Sequence, residues 1–285
     1  MVLVTGVKGQ LGYDVVKELN KRGIPNKGID IQDLDLTKES DVIKFITELK
    51  PWCIIQCAGY TQVDKAENEE TRKCFDINYK ATEYIATVCN LLKIKLVYIS
   101  TDYVFDGTKI GEYEVDDSIN PLSKYAISKA QGEKAILNNL DKYFIIRTSW
   151  LFGQNGNNFI NTMLRLGKEK ESIDVVCDQI GSPTYTVDLA TVICEIIGTE
   201  KYGIYHATNE GFCSWADLAK KSLEVAKVDC KINPVLSSDY KSITKRPLNS
   251  KLSKSSLTRN GFNLLPTWED AVERYLIFKG EGKEV

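Results

Sequence analysis

The stretch "KYAISKAQGEKAIL" sets Tyr125 and Lys129 four positions apart within a run of helical period. At that spacing two side chains stand one above the other on a single helix face. A phenol with its ordinary pKa near ~10 exchanges protons poorly at neutral pH, and a cation one turn away favours the phenolate. The pair therefore suits general acid-base work on an oxygen that gains or loses charge. A tyrosine and a lysine also meet by accident on many solvated helix faces, so the pair gains meaning only if other groups reach the same place. Thr101 is one such group. "KLVYISTDYVFDG" reads as a strand ending at Ser100, Thr101 and Asp102, and open parallel sheets bind ligands beyond the carboxyl ends of their strands.

A second constellation lies at the start of the chain. "VLVTGVKGQLGYDVV" joins a strand to a helix through Gly6, Gly9 and Gly12, with Gln10 and Leu11 between the last two glycines. Glycines there let the backbone turn tightly and approach a pyrophosphate, whose charge sits well at a helix N-terminus. The spacing is G-x-x-G-x-x-G, and tight strand-helix turns use glycine without any ligand. Its place at the first strand-helix junction favours a dinucleotide. Asp30 follows the second strand, where a carboxylate accepts hydrogen bonds from the adenosine ribose hydroxyls and repels a 2'-phosphate. That favours NADH over NADPH, with Lys8 and Lys27 able to offset the repulsion. Asp35 and Leu36, in "DLDLT", are placed near the adenine. Taken together, Tyr125 would protonate a carbonyl oxygen as hydride reaches its carbon. Lys129 would tune Tyr125 and hold the nicotinamide ribose, and Thr101 would hydrogen-bond the same oxygen.

Positioning these groups falls to an alternation of apolar strand-like runs and helical periods through the first 150 residues, "MVLVT", "WCIIQCA", "KLVYIS" and "KYFIIRTSW" being the plainest strands. Continuous Val/Ile runs fit strands buried on both faces, hence an α/β fold with a doubly wound parallel sheet. After Trp150 the rhythm loosens. Residues 1–150, rejoined by 183–208, are expected to form the dinucleotide-binding domain, and residues 151–182 and 209–285 a smaller α/β domain on the substrate side. "SSDYKSITKRPLNSKLSKS" is the least structured stretch by composition.

Composition narrows the classes. A net charge of -2 gives no basic footprint for nucleic acid. The longest apolar runs are far below the ~20 residues of a membrane helix, and "MVLVTG" already reads as a strand, leaving no room for a signal peptide. Eight cysteines without C-x-x-C spacing fit reduced thiols in the cytoplasm. The single histidine, His206, rules out histidine triads and His-rich metal sites, and its strand-like setting points to a structural role. Lys245 and Arg246 are candidates for a substrate diphosphate, Arg246 for its bidentate geometry. Trp150 suits either stacking on a sugar or base, or packing at a strand end.

Nearly end to end, the stretches "TGVKGQLG", "GYTQVDKAE", "ISTDYVFDG", "NPLSKYAISKAQGE", "RTSWLFG", "NFINTML", "DQIGSPTYTVDLA", "YHATNEG" and "RPLNSKL" resemble the dTDP-4-dehydrorhamnose reductase family of the extended short-chain dehydrogenases/reductases. The resemblance implies a Rossmann-type fold and a Thr101-Tyr125-Lys129 triad. It also implies Ala58, Gly59, Asn78 and Thr148 along the cofactor, with substrate contacts from Thr61, Val63, Tyr103 and Trp150. The implied reaction is NAD(P)H-dependent reduction of the C4 ketone of dTDP-4-dehydro-L-rhamnose, a step toward cell-surface polysaccharide. Similar 4,6-dehydratases carry an Asp-Glu pair after the threonine, whereas Tyr103 follows Asp102 here. GDP-fucose synthase couples reduction to epimerisation with a Cys and a His, and the only histidine here is His206. Another nucleotide-sugar oxidoreductase or 4-epimerase, or a non-catalytic subunit like the regulatory one of methionine adenosyltransferase, are the alternatives. A homodimer is compatible with the family. Some relatives hold a metal at a dimer contact, for which Asp14 is a candidate, although the spacing gives no metal set.

Overall fold

The computed structural model describes residues 1–239 and 243–282. Six parallel strands form the main sheet: β1 (Val2–Thr5), β2 (Asn26–Ile29), β3 (Cys53–Gln56), β4 (Lys95–Thr101), β5 (Tyr143–Thr148) and, far along the chain, β10 (Gly203–His206). Their order is β10-β5-β4-β3-β1-β2. The direction of winding changes between β1 and β3, the point where such sheets open a ligand crevice. Side chains alternate across the sheet. Val2, Val4, Ile55, Val97, Ile99, Phe144 and Ile146 enter one buried cluster, and Leu3, Ile54, Leu96, Tyr98 and Ile145 enter another on the opposite face. Strands buried on both faces explain the unbroken apolar runs.

Helices cover both faces: α1 (Gln10–Lys21) on the first, α2 (Glu39–Leu49) and α5 (Ala81–Leu92) on the second. Between β3 and α5 lie two short helices, α3 (Val63–Ala66) and α4 (Thr71–Phe75), then a π-turn over Asp76–Lys80. The helical period of the sequence runs unbroken through that turn, so it gives no sign of the widened loop. Next comes α6 (Lys124–Asn139), the helix of Tyr125 and Lys129, capped by the Ser123 hydroxyl, which accepts from the Ala126 amide at 3.1 Å. This helix lies close on β4 because Gly132 has no side chain: a Cβ there would stand 2.4 Å from the Tyr98 hydroxyl.

A buried ion pair clamps α6 to the sheet. Arg147 on β5 meets Glu133 with Nε at 3.0 Å and Nη2 at 2.8 Å, and Ser100 on β4 donates to the same carboxylate. His206 is buried beside this clamp, edge-on to Phe105 at 5.7 Å, and burial with the Arg147 charge lowers its pKa to about 3. It is a neutral packing group.

Beyond Trp150, β6 (Leu151–Phe152) pairs with β9 (Thr184–Tyr185), β8 (Ile180–Gly181) with β11 (Cys213–Ser214), and β7 (Ser172–Val176) with β12 (Lys231–Val235). Helices α7 (Phe159–Glu169), α9 (Trp215–Val225) and α11 (Trp268–Phe278) enclose a separate core around Phe152, Ile160, Tyr185 and Tyr275. By contrast α8 (Thr186–Ile196) buries Leu189 and Ile193 in the same cluster as α1, and α10 (Ser255–Arg259) adds Leu257 there. No helix among the described residues is long and apolar enough to cross a membrane. Tyr240, Lys241 and Ser242 of the polar stretch, and residues 283–285 of the expected second domain, lie outside the described residues.

Removing one partner of the clamp leaves a buried charge alone, at a cost of roughly 3–5 kcal/mol. Arg147→Met is expected to lower the unfolding free energy by that order in urea titration, with much of the loss recovered in Arg147→Met/Glu133→Gln. Equal stability of the single variant and the parent would show that the pair does not hold α6.

Candidate active site

The glycine loop crosses the end of β3 at close range. Gly6 has φ +71°, and a Cβ on it would lie 2.7 Å from the Ala58 backbone; one on Gly12 would lie 2.3 Å from the Gly6 carbonyl oxygen. Gly9 precedes α1 with no side-chain cap, so the first amides of the helix remain free to meet an anion. A cavity of about 270 Å³ opens here between Gly6, Ala58 and Gly59 on one side and Ile29, Leu34, Leu36 and Ile77 on the other. Asp30 is fixed at its rim, accepting from the Lys8 and Ile31 amides, each at 2.9 Å. Asp35 lies beside it, held below its usual pKa by the Thr37 hydroxyl and amide. A glycine cradle, a bare helix N-terminus, an apolar slot and a rim carboxylate fit a dinucleotide.

A second cavity of about 320 Å³ continues from the loop to the reacting groups. Gly6, Gly9, Gln10, Leu11, Gly12, Ala58, Gly59 and Thr61 share its lining with Tyr125 and Lys129. Asn78, in the π-turn, faces inward beneath it. Its amide oxygen accepts from the Tyr60 amide at 2.8 Å, and its nitrogen donates to the Tyr60 carbonyl at 3.1 Å and the Ser128 hydroxyl at 3.0 Å. It braces the wall formed by Gly59 and Tyr60. Thr148 is buried beside β4, in register with Thr101, and its hydroxyl has no hydrogen-bond partner among the described residues.

Lys129 is 5% exposed, donates to the Ile99 carbonyl and sits 3.9 Å over the Tyr98 ring. Burial lowers its pKa to about 7, against the Glu133 charge one turn on. Burial pushes the Tyr125 phenol upward, and the neighbouring Thr101 hydroxyl opposes that shift. Depth thus favours the neutral form of both groups, the free amine and the protonated phenol. The lowering of the phenol expected from a cation one turn away is not seen, and burial dominates instead. Tyr103 packs edge-on against Tyr125 at 6.0 Å.

On the substrate side, Val63 begins α3, and the next residue, Asp64, accepts from Arg246 at 3.2 Å across the cleft mouth. Arg246 also lines a cavity of about 300 Å³ with Phe159, Met163, Gln179 and Trp215, and Lys245 joins it along a neighbouring cavity. Trp150, with φ +50°, stacks on Trp215 at 3.7 Å. Of its two sequence readings, packing is the one visible. Asp14 is buried and takes a hydrogen bond from Thr186, so it is not a surface ligand. No metal-binding cluster occurs among the described residues.

A family model described as the RmlD substrate binding domain matches residues 1–278. The dTDP-4-dehydrorhamnose reductase of Aggregatibacter actinomycetemcomitans is 39% identical over 95% of this chain and 97% of its own. The chain belongs to the dTDP-4-dehydrorhamnose reductase family. The dTDP-4-keto-6-deoxy-D-glucose reductase of Streptomyces niveus is 36% identical over 95% of this chain and 94% of its own. A crystal structure of the dTDP-4-dehydrorhamnose reductase of Bacillus anthracis in complex with NADP aligns with a TM-score of 0.94 at 42% identity, covering 97% of this chain and 98% of that one.

In this member of the dTDP-4-dehydrorhamnose reductase family, the residues that gather around Arg246 and that the sequence did not single out are Asp64, Phe159, Gln179 and Trp215. The stretches "NFINTML" and "DQIGSP" carried part of the resemblance, but nothing in them says which side chains converge on Arg246.

The Lys129 cation is present below its pKa of about 7 and is lost as pH rises through that value. Because kcat/KM reports the free enzyme, it is expected to fall above about pH 7. Lys129→Arg, which stays charged, should lose that limb even if its maximum is lower. A flat parental profile from about pH 6 to about 9 would contradict the role of the cation.

Proposed function

We propose that this protein reduces the C4 ketone of a 4-dehydro-6-deoxy sugar carried on a nucleotide diphosphate, most specifically dTDP-4-dehydro-L-rhamnose to dTDP-L-rhamnose. The observation that carries the reading is the placing of Tyr125 and Lys129 in one cavity with the glycine loop, with Thr101 against the phenol. A bound nicotinamide cofactor supplies the hydride to C4. Tyr125 keeps its proton at Oη until negative charge grows on the C4 oxygen, and then delivers it. Lys129, once its cleft is filled, favours the phenolate left behind and holds the ribose. Arg246 exchanges Asp64 for the substrate diphosphate, and Thr61, Val63, Tyr103 and the Trp150–Trp215 pair border the sugar and base. Residues 1–150 with 183–208 serve the cofactor, and 151–182 with 209–285 the nucleotide sugar.

Both NADH and NADPH are accepted in this reading, with NADH favoured by Asp30. The Lys8 ammonium, which donates to Gln32 at 2.8 Å close to the same rim, offsets part of the repulsion toward a 2'-phosphate. The reaction is placed in the cytoplasm, in keeping with eight free cysteines.

Purified protein given dTDP-4-dehydro-L-rhamnose, made in the cuvette from dTDP-glucose, is expected to oxidise NADH in step with dTDP-rhamnose formation. Cofactor binding without oxidation would overturn the reading and favour a binding subunit. Tyr125→Phe should lose most of kcat, on the order of 10²-fold or more, with cofactor affinity nearly unchanged, since only the proton donor is deleted. Full activity in that variant would sink the mechanism. Asp30→Ala is expected to shift the kcat/KM ratio toward NADPH; an unchanged ratio would mean that Asp30 does not meet the ribose.

A further inference from the structure

The connection from β6 to α7 has no part in the scheme above, yet its residues 154–158, "QNGNN", lie against the glycine loop. The Asn155 side-chain nitrogen donates to the Lys8 carbonyl at 2.7 Å, and Lys17 on α1 donates to the Gln154 side chain at 2.8 Å. A Cβ on Gly156 would stand 3.5 Å from Gln10 Cγ. Asn158 holds the other side of the connection. Its Oδ1 caps α7 by accepting from the Asn161 amide at 3.0 Å, and its nitrogen donates to the Tyr275 hydroxyl on α11 at 3.0 Å.

Lys8 is the tip of the glycine loop, and both of its backbone groups are fixed. Its N–H goes to Asp30 and its carbonyl takes the Asn155 amide. A free carbonyl oxygen at that tip would repel a pyrophosphate; this one is taken up. Gly156 and Asn157 then line the cavity of about 320 Å³ together with Gly9, Gln10, Tyr125 and Lys129. Lys129 is the one cation in that lining among the described residues, so an anion beside the start of α1 has to be met by neutral donors. The Asn157 oxygen accepts from the Asn158 amide at 3.0 Å, which settles how its side-chain amide is turned. Its nitrogen, with two hydrogens, is the half left for a ligand.

We propose that residues 154–158 form a further wall of the pyrophosphate site, in which Asn155 positions the glycine loop and Asn157 donates to a pyrophosphate oxygen of the cofactor. The proposal rests on the NAD(P)H reading above.

The test is calorimetric titration with NADH and with ADP-ribose, which keeps the pyrophosphate and lacks the nicotinamide, alongside melting temperatures. Asn157→Asp keeps the shape of the side chain and the acceptor for the Asn158 amide, but puts a negative charge where the donor was. It is expected to weaken both ligands by more than about tenfold, and more at low salt than at high. Asn157→Ala should weaken both about fivefold, and Asn155→Ala, which frees only the Lys8 carbonyl, about threefold. The aspartate variant decides the point even if an alanine variant does not fold. If the parent binds neither ligand, the cofactor reading fails and this proposal with it. If the parent binds both and Asn157→Asp binds them as tightly, only this proposal is overturned. A loss confined to NADH would place Asn157 at the nicotinamide and overturn it as well, and an Asn155→Ala variant equal to the parent would strike the role of Asn155.

Discussion

The site depends on one buried electrostatic contact, the Glu133–Arg147 pair with the Ser100 hydroxyl. It joins α6 to two adjacent strands at the level of their carboxyl ends, one turn along the helix from Lys129. Charges this deep are costly unless their hydrogen bonds are nearly complete, and here the guanidinium also donates to the Val115 carbonyl at 3.1 Å. A contact of this kind adds little net stability, but it permits few alternatives for where the helix can lie. Gly132 sets the distance and the ion pair sets the register. Together they place Tyr125 and Lys129 over the end of β4, where Thr101 emerges.

Electrostatics then follow from depth. Burial raises Tyr125, lowers Lys129 to about 7 and raises Asp102 to about 6, so in each case depth favours the neutral form. The Lys129 ammonium donates to the Ile99 carbonyl and lies over the Tyr98 ring. At the mouth, Arg246 rests on Asp64.

Local patterns were legible in the sequence. Tyr125 and Lys129 share a face because helical geometry fixes a separation of four. Gly6 and Gly12 are demanded by a turn that a Cβ would block. The parallel sheet follows from unbroken apolar strands. Contacts set by long loops were not legible. Asp64 and Arg246 meet across 182 positions, and Trp150 finds Trp215 through a backbone turned to positive φ. The π-turn that carries Asn78 was hidden because its residues keep the period of an ordinary helix.

The central claim is that hydride reaches C4 of a nucleotide-linked keto-sugar while Tyr125 supplies the proton. Its most direct test is one turnover with NADH deuterated at the transferring position of the nicotinamide, followed by NMR and mass analysis of the sugar. The account predicts deuterium at C4 of the product and none elsewhere. Deuterium left on the nicotinamide, or found at another carbon of the sugar, would contradict it.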